Sequence, residues 1–239
     1  MIIQSKRVWI AGQFLAMQIE MQNGKITDIL PYGTKAADID YGDKRIVPGF
    51  IDVHTHGAYG FDTNDAEPEG LRDWMKRIPE EGVTAILPTT VTQMPDVLTA
   101  ALKNVAAVVS EGYEGAEILG VHFEGPYLDM EYKGAQPPEA IAKATVEQFK
   151  MYQEAAQGLI KYITMAPEHD ENFALTRYCR ETGVVVSMGH SSATYEQAML
   201  GIANGATSMT HVYNGMTPYH HRKPGLVGTA LRVRDIYGE

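Results

Sequence analysis

The stretch VVVSMGHSSATYEQAMLGIANGATSMTH, residues 184–211, contains the repeating unit on which the fold prediction rests. Its start, up to Met188, is an apolar run with the length of a buried strand. Residues 194–203 carry apolar side chains at helical spacing, and Gly205 predicts where that helix ends. Residues 207–211 form a second strand-like run. Strand, helix and strand in this order predict two parallel strands joined by a helical crossover.

The same alternation recurs along most of the chain after residue 46. The predicted strands are 50–54, 83–88, 118–123, 162–166, 184–188 and 207–211, and the predicted helices are 96–109, 147–156, 173–181 and 194–203. An open doubly wound sheet is the alternative, but its usual Gly-x-Gly-x-x-Gly turn does not follow the first strand. The pattern therefore predicts an α/β fold, a (β/α)8 TIM barrel. Eight units typically need ~250 residues, so we expect an incomplete barrel of about six βα units.

Residues 1–47 differ from the rest of the chain because they predict short strands and no helix. Residues 18–22 and 25–29 alternate polar and apolar side chains, and the Asn-Gly pair between them is a strong hairpin signal. We therefore predict two domains. Part of a small N-terminal β-sandwich covers residues 1–47, and a catalytic barrel domain that lacks its last strands covers residues 48–239.

Composition excludes two classes of partner. The formal net charge is −10, so the positive surface typical of nucleic-acid binding is missing. No run reaches the ~18 apolar residues that a membrane span needs. The single cysteine, Cys179, cannot form an internal disulfide and is expected to be a core residue on a helix. The N-terminus lacks the layout of a signal peptide, so we expect a cytoplasmic protein.

Side chains of the types that bind metal ions stand at the ends of four predicted strands. They are His54 and His56 after the first strand, Glu124 after 118–123, His190 after 184–188 and His211 at the end of 207–211. Because the strand ends of a parallel barrel converge on one mouth, we expect these groups to gather there. Imidazole and carboxylate ligands suit zinc or iron, and a carboxylate can bridge two ions. The set predicts a metal-centred hydrolase.

Each candidate ligand could instead have a structural role that involves no metal ion. The His-x-His pair can be solvated or hydrogen-bonded, and Glu124 can be a salt-bridged or capping carboxylate. His122, two residues before Glu124, could share its face, although a histidine there is more often a core residue, and the roles of His122, His220 and His221 stay open. The joint placement of polar groups at several strand ends favours the metal site.

Two loops follow candidate ligands at the same mouth. Residues 214–225 carry Arg222 in an acidic chain, and arginine suits bidentate recognition of phosphate. Residues 127–138 carry Lys133 and Gln136, which could reach a substrate. The alternatives are an ordinary basic loop in the first case and a structural loop in the second.

Four motifs carry a resemblance to a known family. They are PGFIDVHTHG at residues 48–57, HFEGPY at 122–127, GHS at 189–191, and HVYNGM at 211–216 followed by RKPG at 222–225. With these motifs the chain resembles the amidohydrolase superfamily and, within it, the N-acetylglucosamine-6-phosphate deacetylases. The Glu-Gly-Pro motif and the Asn-Gly-Met loop are the features that point to the sugar-phosphate branch.

The resemblance implies hydrolysis of the N-acetyl group of N-acetylglucosamine 6-phosphate to glucosamine 6-phosphate and acetate. It implies one or two divalent ions, zinc or iron, and a homodimer of the full-length relative. In the implied ligand set, Glu124, His190 and His211 hold the main ion, and His54 and His56 hold a second one. The implied substrate contacts are Ala135, Gln136, Asn214, Gly215 and Arg222, with Arg222 near the phosphate.

No catalytic acid–base residue is identified in this chain. In the family it is an aspartate on a later strand, whereas the last aspartate here, Asp235, corresponds to an upstream segment. We therefore expect the family's aspartate to lie beyond Glu239. Without such a group rates typically fall ~10²–10⁴-fold, so we expect a fragment of low activity. Two other interpretations stay open, a dihydroorotase-like cyclic-amide hydrolase and a non-catalytic metal- or sugar-phosphate-binding fragment.

Overall fold

The computed structural model describes residues 1–239, which form two compact units, Met1–Phe50 and Ile51–Glu239. The division falls close to the Pro48-Gly49 junction at which the sequence changes character. None of the helices combines the length and the apolar character that crossing a membrane requires.

The first unit is a five-stranded sheet. Its strands are β1 (Ile2–Ile10), β2 (Gln13–Gln22), β3 (Lys25–Pro31), β4 (Ile39–Asp40) and β5 (Arg45–Ile46). The strands β1, β2 and β3 pair antiparallel in that order, while β4 and β5 both pair in parallel with β1. Asn23 and Gly24 have φ angles of 50° and 72°, so the predicted Asn-Gly hairpin is confirmed.

The second unit is built around parallel strands. Its strands are β6 (Phe50–Thr55), β7 (Gly57–Ala58), β8 (Phe61–Asp62), β9 (Val83–Pro88), β10 (Glu117–Ile118), β11 (Val121–Glu124), β12 (Ile160–Met165), β13 (Val185–Met188), β14 (Ser208–Met209) and β15 (Tyr237–Gly238). One sheet has the order β10-β9-β6, and the other has the order β11-β12-β13-β14-β15 with every neighbour parallel. A bridge between Thr89 and His122 joins the end of β9 to β11. Successive strands therefore lie side by side, as the strand–helix repeat predicts.

The six predicted strands are all present and confirm a TIM-barrel-like α/β fold, with two differences. The third predicted strand is interrupted at Leu119-Gly120 and forms β10 and β11. Three further strands were not predicted, namely the short antiparallel pair β7 and β8 and the strand β15, which pairs in parallel with β14. The two residues of β15 carry no apolar periodicity. It is held instead by the Tyr237 N–H, which donates to the Thr207 carbonyl, and by the Glu239 N–H, which donates to the Met209 carbonyl.

Helices connect most of these strands. They are α1 (Pro68–Arg77), α2 (Pro95–Glu111), α3 (Val146–Ala155), α4 (Ala174–Glu181), α5 (Tyr195–Asn204) and α6 (Gly225–Arg232). The helices α2 to α5 match the predicted ones closely, whereas α1 and α6 were not predicted. Thr194 caps α5 and forms a capping box with Gln197, which fixes the start of this helix shortly after His190.

Two kinds of side chain alternate along the barrel strands. Ile163 on β12 belongs to the apolar core between the strands and the helices, together with Cys179, as predicted for that cysteine. Its neighbour Thr164 faces the other way and bonds His122 and Thr210. His122 is fully buried and donates from Nδ1 to the Val53 carbonyl at 2.8 Å. Burial lowers the pKa of His122 to about 3, so it is a neutral core histidine.

Candidate metal centre

The structure brings the five predicted ligands together at one end of the parallel strands. His54 lies in β6 and His56 directly after it, and Glu124 is the last residue of β11. His190 and His211 lie just beyond the ends of β13 and β14. The five side chains line a cavity of about 260 Å³, and the other lining residues are Val91, Ala135 and Gln136.

Glu124 is the centre of this cluster, and its side chain is only 1% exposed. Each of the four imidazole rings turns its Nε2 atom towards one of the two carboxylate oxygens. The distances from Oε1 are 3.4 Å to His54, 3.1 Å to His190 and 3.6 Å to His211, and the distance from Oε2 is 3.2 Å to His56. A buried carboxylate is costly unless it is paired with a positive group.

The hydrogen bonds at the far side of the rings identify the tautomers of His190 and His211. The Nδ1 atom of His190 lies 2.8 Å from the Tyr132 carbonyl, and that of His211 lies 2.9 Å from the Asn214 carbonyl. Because a carbonyl oxygen only accepts, each Nδ1 carries a proton, and in the neutral ring each Nε2 carries a lone pair. These two Nε2 atoms are 3.1 Å apart. Two lone pairs at this distance repel unless a proton or a cation lies between them.

His54 and His56 follow the same pattern. The Nδ1 atom of His56 lies 3.2 Å from the Thr89 carbonyl, and that of His54 lies 2.8 Å from a carboxylate oxygen of Glu239. The Nε2 lone pairs of both rings therefore face Glu124, whose ionised carboxylate also only accepts. When the four rings are neutral, all five groups present acceptors to one another.

Such a convergence of nitrogen and oxygen acceptors fits a divalent cation. His54, His56 and Glu124 form one group of possible ligands, and Glu124, His190 and His211 form a second, with the ligand atoms of each group within 4.8 Å of one another. Glu124 belongs to both groups, so its carboxylate can bridge two ions. The carbonyls that accept from Nδ1 are the usual outer partners of histidines that bind metals.

The titration behaviour of the cluster agrees with this interpretation. Burial disfavours the charged form of His54, but hydrogen bonds to Glu124 and Glu239 raise its pKa to about 9. Burial also disfavours the charged form of His211, but the hydrogen bond to the Glu124 carboxylate raises the pKa of this ring above its usual value. Burial opposes ionisation of Glu124, yet hydrogen bonds from the histidines, His190 first, hold its pKa far below the usual range. The carboxylate stays ionised, and the raised pKa values of His54 and His211 favour a positive charge beside it.

The backbone at two ligands is strained. His190 and His211 have φ angles of 47° and 30°, in the left-handed region that non-glycine residues seldom adopt. Strain of this kind costs about 1–3 kcal/mol per residue and concentrates at functional sites. Gly189, just before His190, is required for a different reason. A Cβ atom there would lie 2.7 Å from the Cβ of Thr210, so glycine permits the two strand ends to approach closely.

Sequence reasoning missed two groups beside the cluster, Tyr162 and Glu239. The carboxylate of Glu239 holds the Nδ1 atom of His54 and accepts from the Tyr162 hydroxyl at 2.6 Å. Burial opposes ionisation of Glu239, but hydrogen bonds from His54 and Tyr162 lower its pKa. Tyr162 stands two residues before Thr164 on β12, and this spacing could have placed it on the interior face. Glu239 could not have been found in this way, because it follows β15, a strand that the pattern of apolar residues does not predict.

The residues proposed for substrate contact do not share one cavity. Ala135 and Gln136 line the cavity of the ligands. The Asn214 carbonyl accepts a hydrogen bond from His211 Nδ1, and the Gly215 carbonyl accepts one from the Ser191 N–H at 3.1 Å. Arg222 lines a separate cavity of about 370 Å³, together with Ser192, Thr194, Thr217 and Lys223 among others. The structure therefore does not bring Arg222 to the ligand cavity.

A second cluster of possible ligands consists of Asp129, Glu168 and His169. One oxygen of Asp129 accepts from His169 Nε2 at 2.8 Å and from the Ser192 hydroxyl at 3.0 Å. Glu168 accepts from the Ser191 hydroxyl and from the Ser192 N–H, both at 2.6 Å. Donors meet acceptors throughout, so this cluster is satisfied without a cation. It borders a cavity of about 560 Å³.

Known proteins resemble this chain in sequence and in structure. Residues 45–230 match the amidohydrolase family. An N-acetylglucosamine-6-phosphate deacetylase of Bacillus subtilis is 46% identical over 79% of this chain and 48% of its own length. An N-acetylgalactosamine-6-phosphate deacetylase of Escherichia coli O157:H7 is 35% identical over 93% of this chain and 58% of its own length.

Among solved structures, a mutant of the N-acetyl-D-glucosamine-6-phosphate deacetylase of Mycobacterium smegmatis, in complex with N-acetyl-D-glucosamine-6-phosphate, superimposes with a TM-score of 0.92. It is 27% identical to this chain, and the match covers 100% of this chain and 62% of the other. The chain thus spans about half to three fifths of the length of these relatives. Since the family match includes both groups of candidate ligands and most of the barrel, the chain belongs to the amidohydrolase family.

Proposed function

We propose that this chain contributes the metal-binding part of a site that hydrolyses the N-acetyl group of N-acetylglucosamine 6-phosphate, giving glucosamine 6-phosphate and acetate. The observation that carries the proposal is the buried carboxylate of Glu124 with four imidazole lone pairs directed at it. Such a set of converging acceptors fits a bound divalent cation. The substrate is proposed from the names of these relatives, of whose length this chain spans 48% in one case and 62% in another.

In this proposal Glu124, His190 and His211 hold the principal ion, and His54 and His56 hold a second one. The ligand types suit zinc or iron. Held by these residues, a divalent ion would supply Lewis-acid chemistry to an amide carbonyl and to water. The chain's own contribution is orientation, since the hydrogen bonds from each Nδ1 fix the rings with Nε2 facing inward.

The substrate contacts in the proposal are Ala135, Gln136, Asn214, Gly215 and Arg222. Ala135 lines the ligand cavity, where the acetamido group would lie. Arg222 and Lys223 are neighbouring cations in an acidic chain, and arginine recognises phosphate through two parallel hydrogen bonds. We also propose a cytoplasmic location and a homodimer for the full-length enzyme, both implied by the resemblance to the deacetylases.

The test is an assay of the zinc- or iron-loaded protein on four compounds. We expect acetate release from N-acetylglucosamine 6-phosphate and neither deacetylation of unphosphorylated N-acetylglucosamine nor ring opening of hydantoin. Where turnover is too slow to measure, the test is instead the binding of glucosamine 6-phosphate, measured by calorimetry with and without metal. N-acetylgalactosamine 6-phosphate is the second candidate substrate, because one relative is named as the deacetylase of this compound. Absence of both acetate release and metal-dependent binding for the two phosphorylated sugars would contradict the proposal.

A further inference from the structure

Gln136 is tied at both ends of its amide, and its side chain is almost completely buried. Its Nε2 donates to Glu124 Oε2 at 2.9 Å, and its Oε1 accepts from the Thr92 N–H at 2.7 Å. The residue is 5% exposed. The loop after β9, which contains Thr92, is thereby joined to the carboxylate at the centre of the ligand cluster.

The two partners leave the amide only one orientation. A backbone N–H can only donate, so Gln136 must present its oxygen to Thr92. An ionised carboxylate can only accept, so the –NH₂ group must face Glu124. Rotating the amide by half a turn would break both hydrogen bonds. The backbone is anchored too, since the Gln136 N–H donates to the Lys133 carbonyl at 3.1 Å.

The hydrogen bond distinguishes the two oxygens of Glu124. Oε2 receives the Gln136 amide and faces His56, while Oε1 faces His54, His190 and His211. Without the Gln136 donor, rotation about the last side-chain bond of Glu124 would be opposed only by the histidines. With the donor, Oε2 is held beside His56, and Oε1 stays beside the other three histidines. The Gln136 amide thus fixes the orientation of the carboxylate that both groups of candidate ligands share.

We propose that Gln136 is a positioning residue for Glu124, and that its main contribution is to the affinity of the metal site. The inference rests on the proposed function, because it assumes that Glu124 is a metal ligand. It deepens the role assigned to Gln136 by resemblance. A side chain whose oxygen is already committed and whose surface is 5% exposed retains only one amide hydrogen for a substrate.

The experiment compares zinc binding by the wild-type chain and the variant Gln136→Met, which keeps the length of the side chain and removes its donor. Competition with a chromophoric chelator measures the affinity for Zn²⁺, and the visible spectrum of the Co²⁺-loaded protein reports ligand geometry. Removing an outer-shell partner typically costs 10–100-fold in metal affinity, so we expect a fall of about this size and an altered Co²⁺ spectrum. Gln136→Ala repeats the measurement in case methionine packs poorly.

Gln148→Met on the first turn of α3 is the matched control, and we expect it to bind Zn²⁺ as the wild type does. Circular dichroism of the metal-free variants establishes that they are folded. The inference would be overturned if both Gln136 variants bound Zn²⁺ as tightly as the wild type and had an unchanged Co²⁺ spectrum. A rise in KM with unchanged Zn²⁺ affinity would also overturn it, because it would indicate direct contact with the substrate. Failure of the proposed function is a different result, in which the wild-type chain binds no metal or acts on no phosphorylated sugar.

Discussion

The two clusters of histidine and carboxylate in this molecule have similar composition and opposite hydrogen bonding. In the cluster around Glu124, four imidazole nitrogens and a carboxylate offer only acceptors to one another. In the cluster of Asp129, Glu168 and His169, serine hydroxyls, a backbone N–H and an imidazole donate to the carboxylates. Residue types alone would identify both as metal sites. The tautomers implied by the outer hydrogen bonds separate them, because with neutral rings no histidine of the first cluster donates to Glu124, which receives only the Gln136 amide.

The largest expected effect comes from replacing the central carboxylate of each cluster by its amide. Glu124→Gln removes a charged ligand, so we expect Zn²⁺ affinity to fall by more than the ~100-fold that an outer-shell change produces. The new amide can donate to a histidine lone pair, so the metal-free fold should survive. Asp129→Asn should leave zinc stoichiometry unchanged. Elemental analysis after dialysis measures both, and equal losses in the two variants would remove the distinction between the clusters.

A second effect concerns stability in the presence of metal. A ligand that binds only the folded state at a free concentration of 100 times its Kd stabilises that state by about 2.7 kcal/mol. We expect this gain in the free energy of unfolding for the wild type and for Asp129→Asn, but not for Glu124→Gln. Urea unfolding with and without Zn²⁺ measures it. A gain retained by Glu124→Gln would mean that zinc binds elsewhere.

The third effect is a dependence of zinc affinity on pH. Burial works against the charged form of His54, but Glu124 and Glu239 raise its pKa to about 9, so this ring is protonated at pH 7 in the metal-free protein. Zinc must displace that proton. Apparent affinity should therefore rise with pH by up to about tenfold per unit for each proton displaced, and flatten above pH 9. A tenfold change corresponds to about 1.4 kcal/mol.

Chelator competition between pH 6.5 and 9 provides the measurement, and calorimetry in buffers of different ionisation enthalpy counts the protons released. His169→Gln, in the second cluster, serves as the control and should leave the slope unchanged. A flat profile for the wild type would show that the histidines around Glu124 carry no proton for zinc to displace.

The convergence of the five ligands could be predicted from the sequence, because strand ends of a parallel barrel meet and each ligand follows an apolar run. The helix α1 also had a signal that was overlooked, with Pro68 at its start and Lys76 and Arg77 in its last turn. The helix α6 contains two glycines at its start and in its middle, which oppose a helix, and it forms because it buries residues such as Leu226 and Val227.

What the sequence could not predict are relations between distant side chains. The bridge from Gln136 to Glu124 and Thr92 depends on a loop conformation that no periodicity encodes. The tautomer of His190 depends on the Tyr132 carbonyl in another loop. Arg222 follows His211 closely in sequence, yet it lines a different cavity, since the direction of a loop side chain cannot be read from its position in the chain.

The smallest expected effect tests the second cluster directly. Ser192 donates its hydroxyl to Asp129 at 3.0 Å and to Glu168 at 3.1 Å, so Ser192→Ala leaves two carboxylate oxygens with fewer donors. Because a typical hydrogen bond contributes about 1 kcal/mol, we expect a loss of about this size in the free energy of unfolding, with zinc affinity unchanged. Ser110→Ala, on the exposed face of α2, is the control and should change neither quantity. If Ser192→Ala instead lowered zinc affinity and left stability intact, the second cluster would belong to the metal site, and the contrast between satisfied and unsatisfied acceptors would no longer separate the two.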